Sequence, residues 1–514
     1  MMSLLSISNI ALKCSERTAI IYQNKHISYA ELLYRSEIIA SVFLAAHLKA
    51  GDRVAIHSGN HPDLIAVYYA CLMTGAVFVP LNLHLIDKEC RQIIDTCAAR
   101  FYIGDLTRYS LCQTALKNCT SLERRWILGS KHCPEDTWPL EATHTVTPPE
   151  SLLEEIDSAQ PASIFFTSGT TGHPKGFLFN RNSFNAMITT IRSAMASTLS
   201  PDHTRPFYSM VDLISPWSIQ TALTALSIMQ PVLIADDNSA DSTLSLIETY
   251  PLSWLIGTPS AFTSLLASAL SLQHPPSLHH TACVSGADTC SPALARRFQR
   301  VFGAPLQNAY GQTEQGCMTV HHPNLADATV PSLGWPLPTV NIKIVSDDGK
   351  EGSAGELFIR APTMTAGLWT DTGIEPIGKE GWIPTGDLVR QQANGCLESL
   401  GRQKDLIKVA GYPVYPQEIE EVLLSHSDIS EAVVFAIPDE IAGEAIIAMI
   451  KKYAETTISV CDVKKYLAAR ISHYKIPSTI KFIDNITKFN NKKSRRHIAH
   501  EYIASFDKET RPLK

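Results

Sequence analysis

The feature that most constrains this chain is a Gly- and Thr-rich segment that follows an apolar, strand-like run. Residues 164–166 read Ile-Phe-Phe, and residues 167–176 read Thr-Ser-Gly-Thr-Thr-Gly-His-Pro-Lys-Gly. Glycine lets the backbone approach a ligand closely, and successive N–H groups in such a loop converge on an anion. The segment therefore predicts a phosphate-binding loop after a strand. Its hydroxyls, glycines and lysine are Thr167, Ser168, Gly169, Thr170, Thr171, Gly172 and Lys175.

The spacing of this loop differs from that of a Walker A motif. Pro174 stands five residues after Gly169, where Walker A has glycine, and no Gly-Lys-Ser or Gly-Lys-Thr follows. The chain also lacks a Gly-x-Gly-x-x-Gly after a strand and a Gly-x-Ser-x-Gly elbow. A Rossmann dehydrogenase and a serine hydrolase are therefore disfavoured.

Composition excludes several further classes of protein. With 514 residues, 45% of them hydrophobic, the chain is long enough for more than one domain. A net charge of −6 argues against a general nucleic-acid binder. The 12 cysteines include no Cys-x-x-Cys pair, and residues 1–9 lack the features of an export signal. Reduced thiols in a cytoplasmic protein are the simplest interpretation.

Two uncharged stretches are long enough to cross a membrane by length alone, at 64–86 and 213–235. Both contain proline and several polar residues, and each divides into a helical and a strand-like part. The first has a helical pattern over 64–73, a stop at Gly75 and a short strand at 76–79. We therefore predict buried α/β elements and no membrane span.

The order of patterns predicts an α/β fold with several units. Residues 28–110 alternate helical and β-branched runs, and a second α/β region extends from the phosphate loop to about residue 330. Residues 333–400 carry short strands between glycines, which predicts a small β-barrel or β-sandwich. After Arg402 a compact α+β unit follows. We expect an N-terminal domain at 1–402, made of two layered α/β subdomains and the barrel, and a C-terminal domain at 403–514.

Four further motifs follow the loop in a fixed order. Residues 310–314, Tyr-Gly-Gln-Thr-Glu, offer a ring that can stack on adenine and a carboxylate that can bind Mg²⁺. Residues 384–388, Pro-Thr-Gly-Asp-Leu, present an Asp that can accept hydrogen bonds from ribose hydroxyls. Residues 401–408 add a guanidinium, and residues 490–496 place cations near the C-terminus. Each motif alone is weak, but this combination in one order is hard to reach by chance.

Together these motifs resemble the adenylate-forming superfamily. That superfamily includes acyl-CoA synthetases, adenylation domains of nonribosomal peptide synthetases and firefly luciferase. The resemblance extends from the Gly-Asp-Arg-Val-Ala-Ile segment at 51–56 to Lys493. It implies a reaction in two halves, in which a carboxylate attacks the α-phosphate of ATP and a thiol then displaces AMP. The motifs do not exclude an oxidative luciferase, which is disfavoured only as the rarer activity.

The resemblance also assigns roles to single residues. The implied nucleotide contacts are the 167–176 loop for the β- and γ-phosphates, Ser285, Gly286, Ala287 and Tyr310 for adenine, Thr313 for the α-phosphate, Glu314 for Mg²⁺, and Asp387 and Arg402 for the ribose. The implied cofactors are ATP, Mg²⁺ and coenzyme A or the pantetheine arm of a carrier protein.

Two implied roles fall in the C-terminal part. Lys493 takes the position of the adenylation lysine, where a cation stabilises charge on the α-phosphate. The family usually has Thr-Gly before this lysine, whereas Asn491 and Lys492 precede it here, so Lys492 is an alternative. Lys404 corresponds to the hinge about which a mobile C-terminal domain rotates, with an exposed loop lysine as the plainer reading. Gly411 would line the pantetheine tunnel.

The sequence says less about the acid. By resemblance, the acid pocket includes Asp212, Trp217, Gly286 and Gly311. Asp212 stands where acyl-CoA synthetases often have histidine, and it resembles the Phe-Asp segment of amino-acid-activating domains. A buried carboxylate needs a cationic or donor partner, which leaves two interpretations. Asp212 binds a substrate amine, or it pairs with a protein group or caps a helix at 215–217.

The implied function is an AMP-forming acyl-CoA ligase acting on a small carboxylic acid. An alternative is a stand-alone adenylation enzyme that loads an amine-bearing acid onto a carrier protein in trans. A non-catalytic nucleotide-binding homologue is a third reading. An oligomer is compatible with all three.

Overall fold

The computed structural model describes most of the chain. The described residues are 7–130, 132–140, 159–167, 174–194, 204–329, 331–346, 348–370, 373–409, 412–439, 443–453, 456–486 and 495–509. Within them the chain folds into three sheets covered by helices.

The first half of the chain alternates helices and strands. Its helices are α1 (Ile7–Cys14), α2 (Tyr29–Ala45), α3 (Asp63–Thr74), α4 (Asp87–Cys97), α5 (Leu106–Leu111), α6 (Gln113–Asn118) and α7 (Arg181–Ala194). Its strands are β1 (Thr18–Tyr22), β2 (Lys25–Ser28), β3 (Arg53–His57), β4 (Val77–Pro80), β5 (Phe101–Gly104), β6 (Arg124–Ile127), β7 (Trp138–Pro139), β8 (Pro161–Thr167) and β9 (Lys175–Asn180).

The middle of the chain begins with βα units and ends in strands. Its helices are α8 (Pro216–Ser227), α9 (Ala240–Thr249), α10 (Pro259–Leu270) and α11 (Pro292–Phe302). Its strands are β10 (Phe207–Ser209), β11 (Val232–Ile234), β12 (Trp254–Gly257), β13 (Ala282–Gly286), β14 (Leu306–Gln312), β15 (Gly316–His322), β16 (Ser332–Pro336), β17 (Asn341–Val345), β18 (Ala354–Arg360), β19 (Gly367–Thr370), β20 (Gly373–Glu375), β21 (Ile383–Gln391) and β22 (Leu397–Arg402).

The last part contains shorter elements. Its helices are α12 (Pro416–Leu424), α13 (Val460–Ala468) and α14 (Arg495–Glu509), and its strands are β23 (Ile407–Val409), β24 (Tyr412–Val414), β25 (Ile429–Asp439), β26 (Gly443–Lys452) and β27 (Thr479–Phe482). Single 3₁₀ turns lie at Leu325–Asp327, Gln403–Asp405 and His473–Lys475.

Two large sheets form the layers of the N-terminal part. One has nine strands in the order β20-β19-β9-β8-β4-β3-β5-β6-β7, and its strands β4, β3, β5 and β6 are parallel. The other has 13 strands and contains the parallel series β11-β10-β12-β13-β14. One apolar cluster joins them, since it contains Ile56 and Phe78 from the first sheet and Ile256 and Val284 from the second. Most residues of these parallel strands are buried, because both faces of each sheet are covered.

Both uncharged stretches fold as predicted. The stretch at 64–86 forms the buried helix α3, which ends at Gly75 with φ of 74°, and then strand β4. The left-handed conformation at Gly75 is one that glycine adopts without strain. The stretch at 213–235 forms α8, which Ser215 caps, and β11. No helix in the described ranges has the length and hydropathy needed to cross a membrane.

The strands of 333–400 pair differently from the expectation. Strands β17, β18, β21, β22 and β16 form an antiparallel series, as expected for a barrel, but β16 continues into β15 of the 13-stranded sheet. Strands β19 and β20 instead join β9 of the other sheet. The described strand pairs do not close into a barrel. Instead, the segment extends both large sheets.

The third sheet begins after the 3₁₀ turn at Gln403–Asp405. Its five strands are ordered β24-β23-β26-β25, with β27 paired in parallel to β26. Helices α12 and α13 pack on an apolar core that includes Ile419, Val434 and Leu467. This compact α+β unit follows the large sheets as the sequence predicts.

Candidate active site

Strand pairing brings three of the predicted nucleotide residues into direct contact. Asp387 on β21 lies opposite Arg402 on β22, and Arg402 Nε is 2.7 Å from Asp387 Oδ1. Tyr310, near the end of β14, donates its hydroxyl to Asp387 Oδ2 at 2.5 Å. Gln312 Nε2 donates to the same oxygen at 2.7 Å. We refer to Tyr310, Gln312, Asp387 and Arg402 as the Asp387 cluster.

The Asp387 carboxylate is buried but well supplied with donors. Burial raises the pKa of Asp387, and the positive charge of Arg402 and the hydrogen bonds from Tyr310 and Gln312 oppose that shift. A carboxylate offers about four lone-pair sites, and these three donors leave one for a further hydroxyl. Burial and the negative charge of Asp387 together raise the pKa of Tyr310, so its phenol stays protonated as a donor.

Gln312 is a residue that the sequence interpretation passed over. Besides Asp387, its Nε2 donates to the carbonyl oxygen of Thr385 at 2.8 Å, and Arg402 Nη1 donates to that oxygen at 3.0 Å. The motif at 310–314 contains Gln312, but an amide in a turn has no chemistry that singles it out. Only the tertiary contact between the ends of β14 and β21, two strands that are not paired with each other, gives it a partner.

The predicted adenine segment lies on the neighbouring strand. Gly286, the last residue of β13, is directly opposite Ala309 on β14, one residue before Tyr310. Ala287 has φ of 66°, a conformation that a residue with a side chain rarely adopts. The Ser285 hydroxyl is buried, and no described residue accepts or donates a hydrogen bond to it. Backbone strain and an orphaned polar group are both typical of ligand sites.

Trp217 and Gly286 form a close contact on the side of the predicted acid pocket. A methyl group added at Gly286 would lie 2.9 Å from Trp217 Cη2 and 2.9 Å from the Ala309 carbonyl oxygen. Trp217 is buried, and its Nε1 has no hydrogen-bond partner within the described ranges. Glycine is therefore required at 286 for the indole to lie against β13.

Asp212 lies among protein groups of opposite charge. Burial raises the pKa of Asp212, while the charges of His84 and Arg108 and a hydrogen bond with Asn238 oppose the shift. The cap of α8 is Ser215, whose hydroxyl accepts from Ser218 N at 3.3 Å, so Asp212 is not the capping side chain. The sequence alone could not indicate His84 and Arg108, because they belong to the other large sheet's helices and loops.

The predicted Mg²⁺ and α-phosphate residues lie in the turn between β14 and β15. Gly311 precedes this turn on β14, and Thr313 and Glu314 are half-buried within it. The Glu314 carbonyl oxygen accepts from Thr365 N at 3.0 Å, which fixes the turn against the chain before β19. A carboxylate oxygen here has the chemistry that Mg²⁺ prefers.

The ends of the predicted phosphate loop are adjacent strands. Thr167 ends β8, Lys175 begins β9, and the two residues are directly opposite each other. The intervening residues 168–173, which the sequence predicts to contact phosphate, lie outside the described residues. Lys175 is exposed, and Thr167 is half-buried.

The residues predicted in the C-terminal part are only partly described. Lys404 is exposed on the 3₁₀ turn, and its charge acts on Asp387. Gly411, Lys492 and Lys493 lie outside the described residues. Arg495, two positions after Lys493, is buried in ion pairs with Glu420 at 2.5 Å and Asp405 at 3.1 Å. The chain next to Lys493 is thereby anchored to α12 and to the turn that carries Lys404.

Family models match both parts of the chain. Residues 8–369 match the AMP-binding enzyme family, and residues 418–493 match the C-terminal domain of AMP-binding enzymes. The first match alone spans more than half of the chain, so family membership does not depend on any single motif.

Similar proteins agree with this assignment. Coronafacic acid ligase from Pectobacterium brasiliense is 37% identical, with a TM-score of 0.82 and 98% of each chain covered. An indoleacetate–CoA ligase from Aromatoleum aromaticum is 29% identical over 508 residues, 95% of each chain. ATP-bound MatB from Rhodopseudomonas palustris has the same fold, with a TM-score of 0.85 at 22% identity and coverage of 98% of this chain and 100% of that chain.

Three observations agree on the family of this chain. They are the strand arrangement, the contact of three motif residues at Asp387 and the two family matches. The chain belongs to the AMP-binding enzyme family of the adenylate-forming superfamily, and its reaction is the AMP-forming ligation of a carboxylic acid to coenzyme A.

Proposed function

We propose that the Asp387 cluster binds the ribose of ATP and that Tyr310 and the 285–287 segment bind its adenine. The observation that carries this proposal is the remaining acceptor site on Asp387, whose other sites are filled by Tyr310, Gln312 and Arg402. Because those partners already hold the carboxylate in place, binding a hydroxyl requires little further ordering.

The phosphates extend from this point toward the two loops. Thr313 would contact the α-phosphate, and Glu314 would hold Mg²⁺, which supplies positive charge beside the phosphates. The hydroxyls and N–H groups of 167–176 would grip the β- and γ-phosphates. The position of Thr313 and Glu314 directly after Tyr310 on the same strand end supports this order.

The first half-reaction is in-line displacement at phosphorus. A carboxylate oxygen of the acid attacks the α-phosphorus, the bond between the α- and β-phosphates breaks, and pyrophosphate leaves. Lys493 would neutralise charge on the acid and the α-phosphate in this step, with Lys492 as the alternative. Arg495, two residues after Lys493, forms ion pairs with Glu420 and Asp405.

The second half-reaction requires a thiol at the acyl carbon. The sulfur attacks, and AMP leaves with the bonding electrons of the acyl–phosphate bond. We assign residues 403–514 to a C-terminal domain that turns about Lys404 between the two steps, with Gly411 beside the pantetheine arm. The separate sheet beginning at Ile407 supports this boundary.

The contact of Trp217 with Gly286 favours a compact cyclic acid over a long alkyl chain. The indole closes the space beside β13, and a flat ring can stack on it. The charges of His84 and Arg108 and a hydrogen bond with Asn238 act on the Asp212 carboxylate, which favours an acid without an amine. Activation of an amine-bearing acid for a carrier protein stays the second candidate, since a substrate amine can also satisfy a buried carboxylate.

Pyrophosphate release from ATP and Mg²⁺ with a panel of acids tests these points. We expect release with aromatic or alicyclic acids, and weaker release with straight-chain fatty acids and with α-amino acids. A higher rate with an amino acid than with its desamino counterpart would contradict our assignment of Asp212. Release that is absent with every acid would contradict the adenylation site itself.

The acceptor is tested with the acid found in that panel. Free coenzyme A, a pantetheinylated carrier protein and an amino acid are compared as second substrates, with product masses as the readout. An amine is included because the 37% identical relative is named only as a ligase. We expect the thioester of coenzyme A, and transfer only to the carrier would favour the second candidate.

A further inference from the structure

Three metal-ligating side chains meet away from the Asp387 cluster, in the nine-stranded layer. His57 is the last residue of β3, Cys90 lies in the first turns of α4, and Cys112 joins α5 to α6. Their ligand atoms lie within 4.8 Å of one another, and all three side chains are fully buried. None of these elements supplies a residue that we assign to ATP, the acid or the thiol.

The histidine in this group has no other role that the structure shows. Both ring nitrogens of His57 are buried, and the polar group that acts on this ring is the Cys112 thiol of the same group. A neutral imidazole carries one donor and one acceptor, and a weak thiol partner leaves most of that capacity unsatisfied in an apolar core, which is costly. The buried hydroxyl of Tyr102, whose ring packs edge-on to His57 at 6.5 Å, also lacks a partner among the described residues.

We propose that His57, Cys90 and Cys112 bind one thiophilic metal ion, Zn²⁺ or Cu⁺. One imidazole and two thiolates form a donor set that suits both ions. Tetrahedral ligands with usual bond lengths lie about 3.8 Å apart, so small side-chain rotations bring these atoms to that spacing. Cu⁺ accepts three ligands, whereas Zn²⁺ takes a fourth.

The ion would join three elements that already contact one another through apolar packing and a few hydrogen bonds, such as Ala115 N to Asp87 Oδ1 at 2.8 Å. Cys112 directly follows α5, the helix that carries Arg108, and Arg108 faces Asp212 of the candidate acid pocket. Metal binding would thus stabilise the wall of that pocket without touching the substrate. A structural site of this kind is filled during folding, because buried ligands offer no open entry path.

Metal content of the purified protein tests the proposal. The protein is expressed in medium supplemented with zinc or with copper, purified under reductant without a metal-affinity resin, and analysed by inductively coupled plasma mass spectrometry. We expect about one ion per chain, falling below about one tenth in Cys112→Ser. The matched control is Cys97→Ser, because Cys97 is equally buried on the same helix as Cys90 but lies outside the group.

A second measurement covers the case in which Cys112→Ser fails to fold. Wild-type protein is unfolded with a chelator and refolded with Co²⁺, and a thiolate-to-cobalt charge-transfer band is expected. Metal retained by Cys112→Ser would overturn the proposal. So would wild-type protein with neither bound metal nor a cobalt band, including the case in which peptide mapping finds a Cys90–Cys112 disulfide instead.

Discussion

The two sides of the candidate active site are built in opposite ways. At the Asp387 cluster every polar group contacts another, through strand neighbours and short hydrogen bonds. Around Gly286 the contacts are steric, and the polar atoms of Ser285 and Trp217 have no partner within the described residues. The cluster that we assign to the ribose is therefore ordered before ligand binds, whereas the Gly286 region, which we assign to both adenine and the acid, still has hydrogen-bond capacity to offer.

This difference separates a general task from a specific one. ATP is the same for every member of such a family, so a prearranged cluster that binds its ribose saves ordering on each binding event. The acid must be distinguished from other acids, and shape together with unsatisfied polar groups provides that discrimination. Substitutions on the two sides should therefore change different kinetic constants.

The largest effect is expected at the lysine that completes the nucleotide side. Lys493→Ala should lower the rate of pyrophosphate release by about 100- to 1,000-fold, because one preorganised charge on the developing transition state is lost. The ATP dependence should change little, since the Asp387 cluster is intact. Single-turnover release of pyrophosphate measures this step directly.

Lys492→Ala is the matched control, being the neighbouring cation in the same segment. We expect it to keep most of the wild-type rate. If Lys492→Ala loses the rate and Lys493→Ala keeps it, Lys492 is the adenylation lysine. If neither variant loses rate, the segment at 490–496 has no part in adenylation.

The next effect concerns the nucleotide side itself. Asp387→Asn keeps the size of the side chain but removes the charge that pairs with Arg402. A hydrogen bond to a charged group contributes about 1.5–3 kcal/mol, so the KM for ATP should rise about 10- to 100-fold while the KM for the acid stays unchanged. Initial rates at varied ATP and acid concentrations separate the two constants.

Glu398→Gln provides the control for this change. Glu398 lies on β22 as Arg402 does, and it pairs with Arg390 of β21 at 3.1 Å. Glu398→Gln thus removes an ion pair between the same two strands and leaves the Asp387 side chain unchanged. A rise in the KM for ATP of similar size in both variants would mean that β21–β22 pairing, not the carboxylate, is responsible.

On the acid side, one added methyl group should be enough to raise the KM for the acid. Gly286→Ala would place its Cβ 2.9 Å from Trp217 Cη2 and 2.9 Å from the Ala309 oxygen, so the indole must move. We expect the KM for the acid to rise about tenfold, in keeping with overpacking costs of 1–3 kcal/mol. The KM for ATP should change less.

Gly352→Ala is the control, because a methyl group there would meet no atom within 4 Å. An unchanged acid KM in Gly286→Ala would place the acid elsewhere. A rise of similar size in the KM for ATP would show that Gly286 belongs to the adenine side, and the contrast between the two sides would then be wrong.

Sequence patterns predicted much of the fold because local signals and burial agree there. The helix ending at Gly75 and the short strand that follows it lie where the pattern placed them. For the small barrel or β-sandwich expected at 333–400, the sequence predicted the strands but not their neighbours, because strand propensity does not specify partners. Strands such as β16 and β19 pair with distant segments, and their neighbours are fixed only when the whole sheet forms.

The candidate site shows the same limit at the level of side chains. Motif order predicted that Tyr310, Asp387 and Arg402 belong together, and they are in contact. The role of Gln312 in holding Asp387, the anchoring of α14 by Arg495 and the charges facing Asp212 were missed. Each of these depends on a contact between segments that are far apart in the chain, where no local spacing carries information.

The smallest expected effect tests whether the buried hydroxyl of Ser285 forms a hydrogen bond with a bound ligand. Ser285→Ala removes a buried group without a described partner, so stability should be unchanged or slightly higher. If adenine supplies the partner, the KM for ATP should rise about three- to tenfold, the size of one neutral hydrogen bond. Thermal unfolding with and without ATP, beside ATP kinetics, separates these outcomes. A lower melting temperature without ATP would show that the hydroxyl already has a protein partner, and Ser285 would then resemble Asp387 in being satisfied before the nucleotide binds.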